Sequence, residues 1–287
     1  MKPLLHHIVT TRLLWLLVFV PVVLVVAGVL PQAHTFLFVL SILAIVPLAA
    51  LLSHATESVA AKTGDAVGGL LNATLGNLTE LIIAFAALRA GEYLLVKASI
   101  AGAIVTNSLF MLGGSFLLGG LKYHTQEFNR ISARFQSALL FLATVALLIP
   151  SAVSFADSTT AAAFTQSLSL GLAVLLILTY GLGMFFSLKT HKEFFASSGQ
   201  GDEGGHEEAW PVGLALGTLA CVTVFVALVS EIFVESVQEA AKTFGMSSAF
   251  VGFIVVRLVG GAAEMASAFS GARKNRLDLS IGIALGS

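Results

Sequence analysis

Two glutamates in long apolar stretches are the residues of this sequence best suited to bind a cation. Glu80 lies near the middle of the apolar stretch 68–88, and Asn77 precedes it by about one helical turn. Glu264 lies in the apolar stretch 247–272. A charged carboxylate at the centre of a membrane-spanning helix costs about 2.5 kcal/mol or more, so it is expected to face other helices or a wet cavity. Carboxylate and amide oxygens are typical ligands of hard cations.

Both glutamates have small or polar neighbours on the helical face that would carry them. Small residues let a second helix approach closely, so each glutamate is expected to face the interior of a bundle. The alternative is a pair of protonated glutamates that only donate hydrogen bonds between helices. Two glutamates in similar surroundings favour ion binding. The residues that share a face are Ala73, Gly76, Asn77 and Ala84 with Glu80, and Gly260, Gly261, Ser267 and Gly271 with Glu264.

Two carboxylates at one site suit a divalent cation, because their charges together balance that of the ion. Ca²⁺ accepts roughly six to eight oxygen ligands in irregular geometry, whereas Mg²⁺ gives up its water reluctantly. The same carboxylates can bind protons instead. A pair that binds Ca²⁺ on one trip and protons on the return exchanges the two ions. Calcium and protons are therefore the predicted substrates, and no cofactor is expected.

The composition requires lipid around most of the chain. Of the 287 residues, 57% are hydrophobic and 11% are charged, and the mean hydropathy is +0.94. Soluble domains contain about a quarter charged residues. The net charge of −1 gives no indication of a nucleic-acid partner. Eight stretches have about the length of a spanning helix, roughly 20 residues, and predict an all-α polytopic membrane protein: 12–30, 35–54, 68–88, 97–119, 133–150, 162–188, 211–235 and 247–272, with a ninth beginning near Leu277.

The basic residues predict the orientation of the chain. With the N-terminus in the cytoplasm, eleven of the 15 Lys and Arg residues fall inside, three fall outside and Arg257 lies within a span. Cytoplasmic loops carry such an excess of positive charge. The three outside residues are Arg89, Lys97 and Lys242. The expected location is the plasma membrane of a bacterium, or a vacuolar or other internal membrane of a eukaryote.

Two parts of the sequence resemble each other. ESVAAKTG at 57–64 precedes GNLTE at 76–80, and ESVQEAAKTFG at 235–245 precedes GGAAE at 260–264. In the predicted orientation the two spans cross in opposite directions, which indicates an inverted-topology repeat with an ion site near the membrane midplane. The predicted division is an N-terminal helix at 1–34, a first repeat at 35–190, an acidic cytoplasmic linker at 191–210 and an incomplete second repeat at 211–287.

The segment GGLLNATLGNLTELII at 68–83 closely resembles the first repeat motif of the cation/proton exchangers, a family within the calcium/cation antiporter superfamily. Asn107, KAS at 97–99, GGLKY at 119–123 and VSEI at 229–232 also resemble that family. The resemblance implies eleven helices, Ca²⁺/H⁺ exchange and a central glutamate in each repeat that carries the cation. It implies that Glu80 and Asn77 bind the ion in the first repeat and Glu264 in the second, and Asn107 is a further candidate ligand.

The second motif departs from the pattern of that family. The family has an Asn one residue after the first Gly and a His one residue after the Glu, where this chain has Gly261 and Met265. Arg257 stands where the family usually has a small or helix-bending residue, two turns before Glu264. Its guanidinium is long enough to act as a fixed counter-ion of that carboxylate and to weaken cation binding. The alternative is that Arg257 extends to the outer interface.

Three further glutamates are candidates for the ion pathway. Glu57 lies at the inner end of the second predicted span, where it lines a vestibule or meets the interface. Glu231 and Glu235 lie one turn apart in the seventh predicted span. No motif of a metalloprotease, phosphate-binding loop or catalytic nucleophile is present, so an enzyme is not expected.

Two alternatives to Ca²⁺/H⁺ exchange stay open at this point. One is an antiporter of the same fold for Na⁺, K⁺ or Mn²⁺. The other is a protein that does not transport, which Arg257, Gly261 and the position of Ser287 inside the ninth predicted span favour. The last feature is expected of a fragment, a damaged paralogue or a chain that needs a partner. A homo-oligomer is also compatible with the sequence.

Overall fold

The structure is a computed structural model, and it describes residues 2–63, 70–71, 74–154, 159–195 and 210–286. Every regular element within these ranges is a helix, as the apolar stretches predict. Most of the acidic linker and part of the motif at 68–83, including Gly68, Gly69 and Asn72, lie outside the described residues. The predicted domain boundaries stay a prediction.

The helices of the described part follow the chain in a simple order. Short connections of a few residues join most of them, as in other helical membrane bundles. The helices are α1 (Lys2–Thr10), α2 (Arg12–Val29, with a 3₁₀ first half), α3 (His34–Ala60), α4 (Leu78–Arg89), α5 (Tyr93–Tyr123, with a π-helical turn at Thr106–Met111), α6 (Arg130–Ser154), α7 (Thr159–Phe185, followed by a π-helical turn at Phe186–Thr190), α8 (Val212–Thr243), α9 (Ser248–Gly260), α10 (Ala262–Arg273) and α11 (Leu277–Gly286).

The predicted count of eight complete spans is not reproduced in the described residues. Six helices are long and apolar enough to cross a membrane, and α9 with α10 makes a seventh if the bent pair is one span. The predicted span 68–88 is described only in part, and α4 with 12 residues is shorter than a bilayer requires. The helix α11, where the ninth span was predicted to begin, is apolar but only 10 residues long.

The helical structure is interrupted just before each of the two glutamates. Gly76 and Asn77 form a turn before α4 begins at Leu78. Gly261 separates α9 from α10, and the two helices are bent by 60° at this break. Glycine is a poor helix former, which favours a break at these positions. Glu80 and Glu264 therefore both lie in the first turn of a helix, and Glu80 does not lie in the middle of a continuous one.

The chain divides into two compact units, of which the first comprises Met1–Thr106 and Glu203–Ser267. Its core forms where α3 packs along α8, because both helices are apolar on most of their faces. Ile45 and Val226 are fully buried there, and the ring of Phe38 stacks on that of Phe233 with centroids 5.3 Å apart. This scaffold belongs to the same unit as both glutamates.

A second contact in the first unit positions the helix that carries Arg257. Gly102 of α5 packs directly on the backbone of α9, and a Cβ atom at this glycine would overlap the carbonyl oxygen of Phe253. Only a residue without a side chain permits this approach, which is typical of helix pairs in membranes. The π-helical turn Val251–Val256 lies at this contact, immediately before Arg257.

The second unit comprises Asn107–Asp202 and Ala268–Ser287. Polar groups connect the end of α5 and the α5–α6 loop to the end of α10 and the start of α11. Lys122 and Tyr123 donate hydrogen bonds to the carbonyl of Arg273, and the backbone N–H of Asn129 donates to the carboxylate of Asp278. Much of α7 is exposed and apolar, with Ile177 71% exposed, as expected of a helix that faces lipid.

Candidate functional site

Glu80 and Glu264 meet at a single positive group, the guanidinium of Arg257. Its Nη1 donates a hydrogen bond to Oε1 of Glu80 at 2.9 Å, and its Nη2 donates to Oε2 of Glu264 at 2.8 Å. The planar guanidinium presents donors in a fixed fork, so one side chain can contact two carboxylates through different nitrogens. Three residues from α4, α9 and α10 thus form one charged cluster, which we call the Glu–Arg–Glu site.

Most of the Glu–Arg–Glu site is withdrawn from the surface of the described chain. The side chain of Arg257 is 3% exposed, and those of Glu80 and Glu264 are 22% and 15% exposed. Partial exposure of the carboxylates leaves them accessible, while the guanidinium lies behind them. With both glutamates ionised, the cluster carries one formal negative charge, because a single guanidinium balances only one carboxylate.

The local backbone explains why the two carboxylates are similarly placed. Each glutamate lies three residues after a helix break, which is at Asn77 for Glu80 and at Gly261 for Glu264. The carbonyl of the residue at each break accepts a helical hydrogen bond from the N–H four residues later. These bonds run from the N–H of Leu81 to Asn77 and from the N–H of Met265 to Gly261. The first turn of a helix has unpaired N–H groups and the positive end of the helix dipole, which favours carboxylates there.

Gly261 provides the space that the guanidinium occupies. A Cβ atom at this position would lie 2.8 Å from Cζ of Arg257 and 3.0 Å from both of its Nη atoms. The neighbouring Gly260 approaches Glu80 in the same way, since its Cβ atom would lie 3.0 Å from Cγ of Glu80. The end of α9 is therefore shaped around the side chains of the site.

The residue spacing predicts only part of this arrangement. Arg257 and Glu264 are two turns apart in the sequence, which predicts a contact between them, and the structure shows this contact. The extension of Arg257 to the outer interface is not what the structure shows, because the side chain is buried. The contact with Glu80 and the space at Gly261 were missed, since both depend on how α4 and α9 pack.

Asn77 lies at the residue before α4 and is partly buried. Its backbone adopts φ −95° and ψ 16°, and its side chain makes no capping hydrogen bond to α4. A side chain that does not cap the helix is available for other contacts. Its role as an ion ligand stays a prediction.

The other predicted residues lie in different places. Asn107 is 2% exposed and belongs to the second unit, where it lies in the π-helical turn of α5. Glu57 is exposed near the end of α3, and its carboxylate accepts a hydrogen bond from Ser53 at 3.3 Å. Participation of either residue in ion transport stays a prediction.

Glu231 and Glu235 both lie on exposed positions of α8. The carboxylate of Glu231 is 3.6 Å from a guanidinium nitrogen of Arg89, and both side chains are more than half exposed. Such exposed pairs contribute little free energy. Within the ranges that the structure describes, no three His, Cys, Asp or Glu residues cluster as a ready-made metal site.

Comparison with known proteins identifies relatives over almost the whole chain. The family model described as "Sodium/calcium exchanger protein" matches residues 33–189 and 214–287. A protein of Aphanothece halophytica named "Ca(2+)/H(+) antiporter" is 39% identical over 284 residues, which is 95% of this chain and 76% of the relative. The "Ca(2+)/H(+) antiporter ChaA" of Bacillus subtilis is 39% identical over 279 residues, or 96% of this chain and 79% of the relative.

A solved structure has the same fold. The structure titled "Structure of native YfkE" superposes with a TM-score of 0.78 and is 34% identical, covering 96% of this chain and 77% of that chain. The chain thus spans about three quarters of the length of these relatives.

Proposed function

Since the chain belongs to the sodium/calcium exchanger protein family, we propose that it exchanges Ca²⁺ for H⁺ across a membrane. Relatives that share 39% of its residues over most of its length are named Ca²⁺/H⁺ antiporters. The apolar helices fit an integral membrane protein. Calcium and protons are the cargo of this proposed activity.

One observation carries the proposal: two carboxylates from separate helices converge on one positive charge. Glu80 and Glu264 contact the same guanidinium at 2.9 and 2.8 Å. A position that two carboxylates share in this way also suits a metal cation, because carboxylate oxygens are the ligands that Ca²⁺ prefers. The partial exposure of both carboxylates supports access for an ion from water.

The proposed exchange follows from charge balance in a medium of low dielectric. Two ionised glutamates outnumber the one guanidinium, and this excess negative charge is costly to bury, so the protein changes its accessible side most easily when the excess is removed. Ca²⁺ overcomes the excess in one direction and protons neutralise it in the other. Both ions compete for the same oxygens, and each therefore drives release of the other.

The repeat and the orientation are part of the same proposal. The matching breaks before Glu80 and Glu264 support two related halves, with the first spanning inside to outside and the second outside to inside. In this arrangement the N-terminus is cytoplasmic and the site lies near the midplane. Asn77 and Asn107 are proposed as additional oxygen ligands, and Glu57, Glu231 and Glu235 as residues of the pathway.

The test is proton-driven uptake of radioactive Ca²⁺ into vesicles that contain the purified chain. We expect uptake in the wild type and uptake at the level of empty vesicles for Glu80→Gln, which keeps the shape of the side chain but removes its charge. Lys242→Met serves as the control, since it removes a charge from an exposed ion pair with Glu239. Equal uptake by the wild type and Glu80→Gln would contradict the proposal.

The same vesicles distinguish other cations. We expect unlabelled Ca²⁺ to suppress the uptake of label more strongly than Na⁺, K⁺ or Mn²⁺ at equal concentration. Stronger suppression by one of these three ions would assign the transport to that ion.

A second candidate function is a protein of this fold that does not transport. The observation that favours it is the buried guanidinium between the two glutamates, which neutralises one of their charges without any ion. Wild-type vesicles without proton-driven cation uptake would support this candidate.

A further inference from the structure

We propose that Arg257 is a tethered cation that competes with the transported ion for Glu80 and Glu264, and that it sets the affinity of the site for Ca²⁺. The inference rests on the proposed function, because it concerns the same pair of glutamates. It assigns to Arg257 and Gly261 a role in specificity that the carboxylates alone do not determine.

The geometry places the guanidinium where a shared ion would have to bind. Its two Nη atoms contact one oxygen of each glutamate at hydrogen-bonding distance. Charge-assisted hydrogen bonds of this kind are the strong ones in proteins. Because Arg257 is 3% exposed, its charge is held among the carboxylates and is not shared with bulk water. An ion that binds the two oxygens held by the guanidinium must therefore displace at least one of these bonds.

Charge balance indicates that Arg257 opposes the binding of Ca²⁺ more than the binding of a proton. Two ionised glutamates and one guanidinium sum to a charge of −1, so one proton neutralises the site while Arg257 stays in place. One Ca²⁺ added to the same three groups gives a charge of +1. The divalent ion thus faces a positive group at close range, and repulsion within a site of low dielectric is strong. Arg257 is expected to raise the Ca²⁺ concentration that half-saturates the site.

Gly261 is the residue that permits this arrangement. Arg257 lies four residues before it, so the arginine side chain passes over the break between α9 and α10. A methyl group at Gly261 would lie 2.8 Å from the guanidinium carbon, closer than Cβ atoms approach other heavy atoms. The guanidinium is the end of a flexible side chain and can move, so Gly261→Ala is expected to displace it without removing either carboxylate.

The experiment measures Ca²⁺ at half-maximal proton-driven uptake in vesicles, and equilibrium binding of radioactive Ca²⁺ in detergent. The variants are Arg257→Met, which keeps an unbranched side chain without charge, and Gly261→Ala. Lys242→Met is the matched control for loss of a cation from an ion pair. We expect the half-saturating concentration to fall at least about tenfold for Arg257→Met, in the same direction by less for Gly261→Ala, and not at all for the control.

One outcome overturns the competition by Arg257 and another overturns the role of Gly261, and both leave the proposed function in place. If wild type and Arg257→Met take up Ca²⁺ with the same half-saturating concentration, Arg257 does not compete with the ion. If the half-saturating concentration falls tenfold for Arg257→Met and is unchanged for Gly261→Ala, the role proposed for Gly261 is wrong.

Failure of the proposed function can be distinguished from failure of the inference on Arg257. Uptake that is absent in the wild type and present in Arg257→Met would overturn Ca²⁺ exchange by the natural chain and support Arg257 as the competing cation. Absence of both uptake and binding in all variants would overturn both proposals. Folding is checked by a single symmetric peak in size-exclusion chromatography, and Gly261→Ala provides the test if Arg257→Met does not fold.

Discussion

The segments around Glu80 and Glu264 share a backbone and differ in the side chains that surround their carboxylates. Each has a break three residues before its glutamate and places that glutamate in the first turn of the next helix. Asn77 supplies an amide at the first break, whereas Gly261 at the second break supplies only space. Arg257 fills that space and reaches both carboxylates.

This difference shows how one half of a paired site can change its chemistry while its backbone is kept. The second segment lacks a neutral side-chain oxygen where the first has one, and it contains a positive charge within contact of both glutamates. Compared with a site built from two segments like the first, this site is less negative and more crowded. Substitutions on the two sides should therefore have unequal and predictable consequences.

The largest effect is expected from the two glutamates themselves. Glu80→Gln and Glu264→Gln each leave one carboxylate, and Arg257 neutralises it completely. Both variants are therefore expected to lose proton-driven Ca²⁺ uptake to the level of empty vesicles. A variant of either glutamate that retains half of the wild-type rate would show that the carboxylates do not act as a pair.

Arg257→Met should also lower the stability of the chain in the absence of Ca²⁺. Removal of one partner from a buried charge cluster costs about 3–5 kcal/mol, because the remaining charges lose their counter-ion. Millimolar Ca²⁺ is expected to restore much of this loss, since a ligand that binds only the folded state stabilises it. Thermal unfolding in detergent with and without Ca²⁺ measures both effects. A variant as stable as the wild type without Ca²⁺ would contradict the structural role of the ion pairs.

Arg257→Lys tests the fork geometry separately from the charge. Lysine carries a compact charge on a different stem and cannot present two nitrogens to two carboxylates. We expect a half-saturating Ca²⁺ concentration between those of the wild type and Arg257→Met, with a smaller loss of stability than in Arg257→Met. A value below that of Arg257→Met would show that charge at this position does not oppose Ca²⁺.

The smallest effects on stability are expected at Asn77, where no capping bond exists to be lost. Replacement of a capping residue by Ala costs about 1 kcal/mol when its side chain bonds the helix. Ser247 is such a residue, because its side chain accepts a hydrogen bond from the N–H of Phe250. We expect Ser247→Ala to destabilise the chain more than Asn77→Ala, and only Asn77→Ala to weaken Ca²⁺ uptake. Equal uptake by the two variants would exclude Asn77 as a ligand.

The sequence predicts the helical class and the charged residues of the site for a clear physical reason. Carboxylates and a guanidinium in apolar stretches are costly, so Glu80, Glu264 and Arg257 stand out without any structure. The breaks at Asn77 and Gly261 were harder to predict, because a glycine in an apolar stretch is also common in continuous membrane helices.

What could not be predicted depends on contacts between distant parts of the chain. Arg257 and Glu80 are 177 residues apart, and their contact follows from the packing of α9 on its neighbours. The close approach of Gly102 to Phe253 helps to set that packing. Periodicity within one helix contains no information on such a contact, which explains why only the Glu264 contact was considered.

The most direct test of a cation position shared by Arg257 and Ca²⁺ is equilibrium Ca²⁺ binding to three forms of the purified chain. These are the wild type, Arg257→Met, and Arg257→Met combined with Glu80→Gln. We predict that Arg257→Met binds Ca²⁺ at least about tenfold more tightly than the wild type, and that the added Glu80→Gln abolishes this gain. Equal binding by all three forms would contradict the account.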